Sequence, residues 1–129
     1  MEEAFRARLL ASSGVTALCG TRIDWGSRAQ GALLPAIALH GISGAENYHL
    51  KGPDGLLQAR VQVDCWAMSY GSAKALSRAV LASLSGYRGG NFRGVFHEAT
   101  RDDRESGTNE ATRPFRTSLD FNVNWKGTV

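Results

Sequence analysis

The sequence predicts an α+β domain: a mostly antiparallel sheet of about four main strands with helices packed on one face, in the order α-β-β-α-β-β. Three stretches carry this reading. From Leu57 to Ala67 the odd positions Leu57, Ala59, Val61, Val63, Cys65 and Ala67 are apolar or small, while Gln58, Arg60, Gln62 and Asp64 between them are polar. Period two over such a run is a strand with one face buried and one wet. The period then changes. After Ser69-Tyr70-Gly71-Ser72, the residues Ala73, Leu76, Val80 and Leu84 recur every three or four positions, which is the stripe of an amphipathic helix. Ser69 or Ser72 caps its N-terminus and Gly86 stops it. The third stretch closes the chain: Phe115, Leu119, Phe121, Val123 and Trp125 alternate with Arg116, Ser118, Asp120, Asn122 and Asn124. Burying such side chains is worth roughly 1.5–3 kcal/mol each, so this strand must lie under a helix or a second sheet.

The remaining elements follow in order. Residues 2–11 form a short helix, with Glu2 and Glu3 at its positive end and Phe5 and Leu9 on its apolar stripe. Ser12-Ser13-Gly14 interrupts it, and Val15, Leu18 and Cys19 make one more helical turn ending at Gly20. Arg22-Ile23-Asp24-Trp25 is a brief extended piece, and residues 26–34 have the glycine and serine content of a loop. Pro35 opens a strand in which Ile37 and Leu39 alternate and Ile42 falls out of phase, placing a bulge near Gly41. Residues 46–55 are polar and carry a Pro-Asp-Gly turn signal, so this strand and the next form an antiparallel hairpin with a long tip. After the main helix, residues 87–94 are a glycine-rich connection. Residues 95–104 are a weaker strand whose far end is too charged to be covered, and residues 106–112 are another polar turn.

The chain has 129 residues, 43% hydrophobic and 21% charged, which bounds it to one ordinary globular domain rather than a disordered chain. Its net charge of +3 comes from 15 basic and 12 acidic residues scattered among one another, so composition alone does not point to nucleic acid. Cys19 and Cys65 both fall on apolar faces, where free cysteine packs as a small hydrophobe. With no secretory leader expected and no apolar run near the ~20 residues needed to cross a bilayer, the expectation is a soluble protein made in a reducing cytoplasm, without membrane contact.

No catalytic constellation survives inspection of the titratable residues. His40, His49 and His97 lack close-spaced partners, so neither a metal site nor a cofactor is expected. Cys65 and a histidine would make a nucleophile and base, but Cys65 is in phase with Val61 and Val63 and belongs to the core. Asp64 is expected on the wet face of its strand. Asp102, Asp103 and Glu105 beside Arg101 and Arg104 read as a solvated tip of alternating sign. Gly89-Gly90 and Gly94 lack the following Gly-Lys-Ser/Thr of a phosphate loop. The basic residues Arg22, Arg28, Lys51, Arg60, Arg88 and Arg93 are not interleaved with aromatics that would stack bases. Trp66 and Met68 stand out, because they occupy the otherwise polar face where the strand meets the helix. Two readings are open: a second small core under a loop, or a buried subunit contact of the kind in which Trp and Met are enriched.

The segments GVTALCGTRID (14–24), LLPAIALHGISG (33–44), GPDGLLQARVQVDCWAMSYGSAKAL (52–76) and RTSLDFNVNW (116–125), in that order, resemble the small tail-completion, or tail-terminator, proteins of long-tailed bacteriophages, including those of prophages and gene transfer agents. The most specific part is Val61 to Ala67 followed by Ser69-Tyr70 and the alanine-rich helix. The resemblance implies a structural virion protein without catalysis or cofactor. Such proteins form a ring, typically a hexamer, on the head-proximal end of the tail tube; the ring stops tube polymerisation and meets the head–tail connector. It implies an α+β fold, self-association, the tube protein and the connector protein as partners, and DNA passing through the lumen without sequence-specific contact. A ring requires two different patches that fit each other, and the Trp66/Met68 face and the strand edges are the candidates. The two hairpin tips are the parts expected to reach tube and connector, through Tyr48, His49 and Lys51 on one and Arg104 and Glu105 on the other. The alternative to be weighed is a small non-enzymatic ligand- or nucleic-acid-binding α+β domain.

Overall fold

The computed structural model describes residues 1–26, 33–49, 52–104 and 114–126. The chain runs α1 (Glu2–Leu10), α2 (Ser13–Cys19), β1 (Ile23–Trp25), β2 (Ala36–His49), β3 (Gly52–Ala67), α3 (Tyr70–Leu84), β4 (Phe92–Arg104) and β5 (Phe115–Lys126). The strands make one five-stranded sheet in the order β1-β2-β3-β5-β4. All neighbours are antiparallel except β1 and β2, which pair in parallel from Ile23 opposite Ile37 to Trp25 opposite Leu39.

The α+β class and the largely antiparallel sheet agree with the sequence pattern; the structure has five strands where about four were expected, and it adds their order in the sheet. The brief extended piece before the first long strand is itself a strand, because the apolar Ile23 packs into the core and carries its backbone against β2. The last strand does not lie outside its predecessor. The crossover through α3 lands β4 one strand-width away from β3, and β5 fills the gap, pairing with both. This explains why β5 shows the cleanest alternation in the chain: it is central, and Leu119, Phe121 and Val123 are fully buried.

One core lies between the sheet and all three helices. It unites Phe5 and Leu9 of α1, Val15 and Cys19 of α2, and Leu76, Val80 and Leu84 of α3 with the inward residues of the strands. In β3 the alternation falls as expected, with Val61, Val63, Cys65 and Ala67 at 0% exposure. Ser69 caps α3, its hydroxyl accepting from the Ser72 amide at 3.1 Å. The helix ends at Leu84, and Gly86, at φ 74°, donates its amide to the Val95 carbonyl at 2.7 Å. The positive φ there suits glycine. Ser12 likewise caps α2 through the Val15 amide.

The β2–β3 hairpin departs from expectation at its tip. Pairing continues out to His49 opposite Gly52, so residues 46–49 and 52–55 are strand rather than loop, and only residues 50 and 51 remain between the two strands. Pro53-Asp54-Gly55 is no turn. Pro53 is tolerated because β5 pairs only as far as Leu56, leaving one side of β3 beyond it with no ladder bond to lose among the described residues. The bulge expected near Gly41 is present, a register shift between Gly41 and Ser43, and a second follows between Glu46 and Tyr48. The hairpin thus forms an arm that runs past the rest of the sheet. At the other hairpin, β4 holds its ladder through Arg104 opposite Phe115, so Asp102 and Asp103 belong to the strand and not to the tip.

Candidate functional site

The face of the sheet turned away from the helices carries most of the charge chemistry. Its centre is Asp64, expected to be wet and instead 2% exposed. The register sets Asp64 between Ala38 of β2 and Ser118 of β5, so long polar side chains from the neighbouring rows can fold over it. His40 Nε2 lies 3.1 Å from Oδ2 of Asp64, the Ser118 hydroxyl donates to Oδ1 at 2.7 Å, and the Gln62 amide donates to Oδ1 at 2.8 Å. Arg116 approaches Oδ2 at 3.9 Å and reaches across to Asp103 of β4. A buried carboxylate is tolerable when its oxygens are filled in this way. Around this centre the arginines find acids on other strands: Arg60 of β3 reaches over β5 to Glu98 of β4, Arg101 of β4 pairs with Asp120 of the adjacent β5, and Arg101 also donates to the Gln62 carbonyl at 3.2 Å. His40 is therefore a partner of Asp64, and His97 bonds Thr100 Oγ1 at 2.8 Å beside its bulge. No group of three or more metal-ligating side chains occurs among the described residues.

Trp66 lies on this same face, half-buried, with the Arg116 guanidinium 5.3 Å from its ring centroid. Met68 follows the end of β3 and is 51% exposed; Tyr70, opening α3, is 52% exposed. The Tyr70 ring meets Phe115 edge-on at 6.3 Å, and its hydroxyl donates to Asp102 at 3.4 Å. Lys74, one turn along α3, sits 2.8 Å from the same carboxylate. The hydrogen bond from Lys74, followed by that from Thr117, holds the Asp102 carboxyl below its usual range, and Asp102 in turn raises the Lys74 ammonium. Arg104, at the last rung of β4, belongs to this end of the sheet.

Tyr48 and His49 occupy the last two rungs of β2 at the opposite end, roughly 45 Å away along β3 at ~3.3 Å per residue. The predicted contact residues are therefore split between two ends: Trp66, Met68 and Arg104 at one, Tyr48 and His49 at the other. Lys51 and Glu105 lie outside the described residues. Near the arm end, the helix-side face of the sheet opens into a groove lined by Met1, Trp25, Ile42, Leu57, Ala59 and Val61. Residue-type reasoning missed this groove; its one signal was Ile42, the apolar residue out of phase at the bulge.

The cysteines are core residues, both fully buried. Burial, together with the neighbouring Asp64 charge, drives the Cys65 thiol far above its ordinary value, which is the reverse of what a nucleophile needs. Among the described residues no helix is long and apolar enough to cross a membrane.

A family model described as Tail completion protein gp17 matches residues 3–124. No curated protein matches the chain. Among solved structures, a chain from the virion of a native gene transfer agent (GTA) particle is similar, with a TM-score of 0.71 at 22% identity, over 98% of this chain and 95% of that one. At that identity the likeness is one of fold, and it spans helices, sheet and arm alike.

Proposed function

Because the chain belongs to the Tail completion protein gp17 family, we propose that it is a structural protein of the phage tail that completes the tail tube by forming a ring on its head-proximal end. The ring, of six subunits, halts tube polymerisation and offers its other surface to the head–tail connector. The family match over nearly the whole chain is the observation that carries this reading. The protein is assigned to the virion, at the head end of the tail, with assembly rather than catalysis as its role.

The geometry supports this reading in two ways. A rigid sheet with contact residues at both ends suits a part that must touch two different partners. Tyr48, His49 and Lys51 on the arm, and Arg104 and Glu105 at the other hairpin, are the residues proposed to meet tube and connector. Trp66 and Met68 are proposed for the contact between subunits. The cross-strand pairing of Arg60, Arg101 and Arg116 with carboxylates leaves the outer sheet face with little net positive charge, which fits a surface past which DNA moves without being gripped.

Mass by light scattering on a sizing column, with negative-stain images of the peak, tests the reading. A species of about 80 kDa, six copies of the 13.9 kDa chain, with a central hole is the expected result. A monomer that assembles only when mixed with tail tubes also supports it. A monomer that ignores tubes overturns it and returns the protein to the small binding domains.

A further inference from the structure

The three helices meet at an open cleft of about 420 Å³. Its walls are Arg8 of α1, Ser12 and Ser13 where α2 begins, and Ala79, Ala82 and Ser83 of α3. Hydrogen-bond donors dominate them, and no carboxylate lines the cleft among the described residues.

Two of these donors lack an acceptor. Ser83 is only 7% exposed, yet its Oγ has no hydrogen-bond partner among the described residues. A buried hydroxyl in that state is costly and uncommon in folded chains, and it calls for a partner. The carbonyl of the same residue is already taken, accepting from Arg8 Nε at 3.1 Å and from Nη2 at 3.0 Å. The Arg8 guanidinium also lies over Tyr87, 4.0 Å from the ring centroid. A carbonyl and a ring fix the side chain without cancelling its charge, and Nη1 is left over. Arg60, Arg101 and Arg116 on the sheet differ, since each pairs with an acid. Glu2 and Glu3 meet the Met1 ammonium and lie at least ~7 Å back along α1, at ~1.5 Å per residue. Arg78, exposed on the same face of α3 as Ala82, adds a second cation with no ion pair among the described residues.

We infer that this cleft binds a phosphate-type oxyanion, with the Arg8 guanidinium and the Ser83 hydroxyl as its principal donors. Guanidinium holds phosphate oxygens through charge-assisted hydrogen bonds, and a serine hydroxyl turns its hydrogen toward whatever acceptor arrives. Arg8 comes from α1, Ser13 from α2 and Ser83 from α3, so donors from three elements suit a tetrahedral anion better than a flat one. The space suffices, because a water's share of liquid volume is only about 30 Å³. Free orthophosphate and the phosphodiester backbone of nucleic acid share this chemistry. The site is independent of ring formation.

Titration of the isotope-labelled full chain with inorganic phosphate, at ionic strength held constant with chloride, tests it by amide chemical shifts. Saturable shifts centred on residues 12–14 and 83 are the expected result. Arg8→Gln should weaken binding roughly tenfold or more, and Ser83→Ala about threefold. Ser83→Ala also deletes the orphan hydroxyl, so without phosphate it should melt no lower than the natural chain. Arg93→Gln, an exposed cation outside the cleft, should leave binding unchanged. A parallel titration with an oligothymidylate separates the two sources. If it moves the same amides and Arg8→Gln abolishes the effect, the anion is a backbone phosphate; if only inorganic phosphate moves them, it is the free ion.

No saturable change with either probe overturns the site. So does a loss from Arg93→Gln equal to that from Arg8→Gln, since binding is then diffuse charge attraction. Should Arg8→Gln fail to fold, Ser83→Ala decides: unweakened phosphate binding by that variant means that the cleft holds water alone.

Discussion

The two faces of the central sheet are made by the same alternation and are stabilised by different means. On the helix side, Val61, Val63, Leu119, Phe121 and Val123 are fully buried and meet the apolar stripes of three helices. Non-directional burial does the work there, and neighbours compensate for one another's shape. On the other side Asp64 is as buried as a core residue. Its cover is polar and geometrically specific: His40, Gln62, Arg116 and Ser118, brought from three strands. Burial can therefore arise without a second hydrophobic layer, wherever side chains across strands close over a small neighbour such as Ala38, itself 2% exposed. For a part of a larger assembly the difference has a use. The helix side holds the chain together, while the outer side remains a polar surface rigid enough to keep its shape.

The comparison can be broken most directly on the helix side. Phe121→Ala removes a fully buried ring from the central strand and should cost about 3–5 kcal/mol in urea unfolding, by lost transfer energy plus the cavity left behind. The midpoint should fall with the m-value unchanged. On the outer side, Asp64→Ala leaves His40, Ser118, Gln62 and Arg116 without their shared acceptor. That should cost about 3 kcal/mol, because one partner of a buried network is deleted. Asp64→Asn, which keeps an oxygen and the shape, should cost about 1–2 kcal/mol. If Asp64→Ala costs well under ~1 kcal/mol, the outer face is merely wet and the contrast between the faces collapses.

The helix-side half of this picture was legible in the sequence. The odd positions of β3, the stripe Ala73–Leu76–Val80–Leu84 and the alternation of β5 each state their own burial, since period and residue type suffice for a non-directional force. The bulge near Gly41 was legible too, from the single phase break at Ile42. The burial of Asp64 was not. It depends on Ser118, 54 residues later, being placed opposite it, and on His40 reaching over from β2. Neither register nor reach is written in local pattern. The arm failed for a related reason: Pro-Asp-Gly is a sound turn signal, and only the long ladder from Gly41 to His49 overrides it. The place of β5 between β3 and β4 likewise follows from how α3 crosses, which period-two patterning does not encode.

The smallest expected effect lies where the two kinds of surface meet. Asp102 is on the helix side of β4, opposite Thr117, yet it is solved in the polar manner, with Lys74 of α3 at 2.8 Å and Thr117 Oγ1 donating at 2.9 Å. The Lys74 hydrogen bond holds the Asp102 carboxyl below the ordinary 3.8. A group with a depressed folded-state value binds fewer protons in the folded than in the unfolded chain at acid pH. Its contribution is therefore present above about pH 4 and is lost as pH falls through the folded value. Lys74 runs the other way. Its ammonium is raised above 10.5, so its contribution is complete below that value and fades as pH climbs through the folded one. Because Asp102 is more than a third exposed, solvent screening keeps the pair at well under ~1 kcal/mol. Lys74→Met should therefore flatten both the acid and the alkaline limbs of the stability–pH profile while changing stability at pH 7 little. An Asp64→Asn chain should keep both limbs of the Lys74–Asp102 pair. If Lys74→Met instead destabilises at pH 7 as much as Asp64→Ala does, the pair is part of the buried framework, and the boundary between the two faces lies further out along α3 than Tyr70.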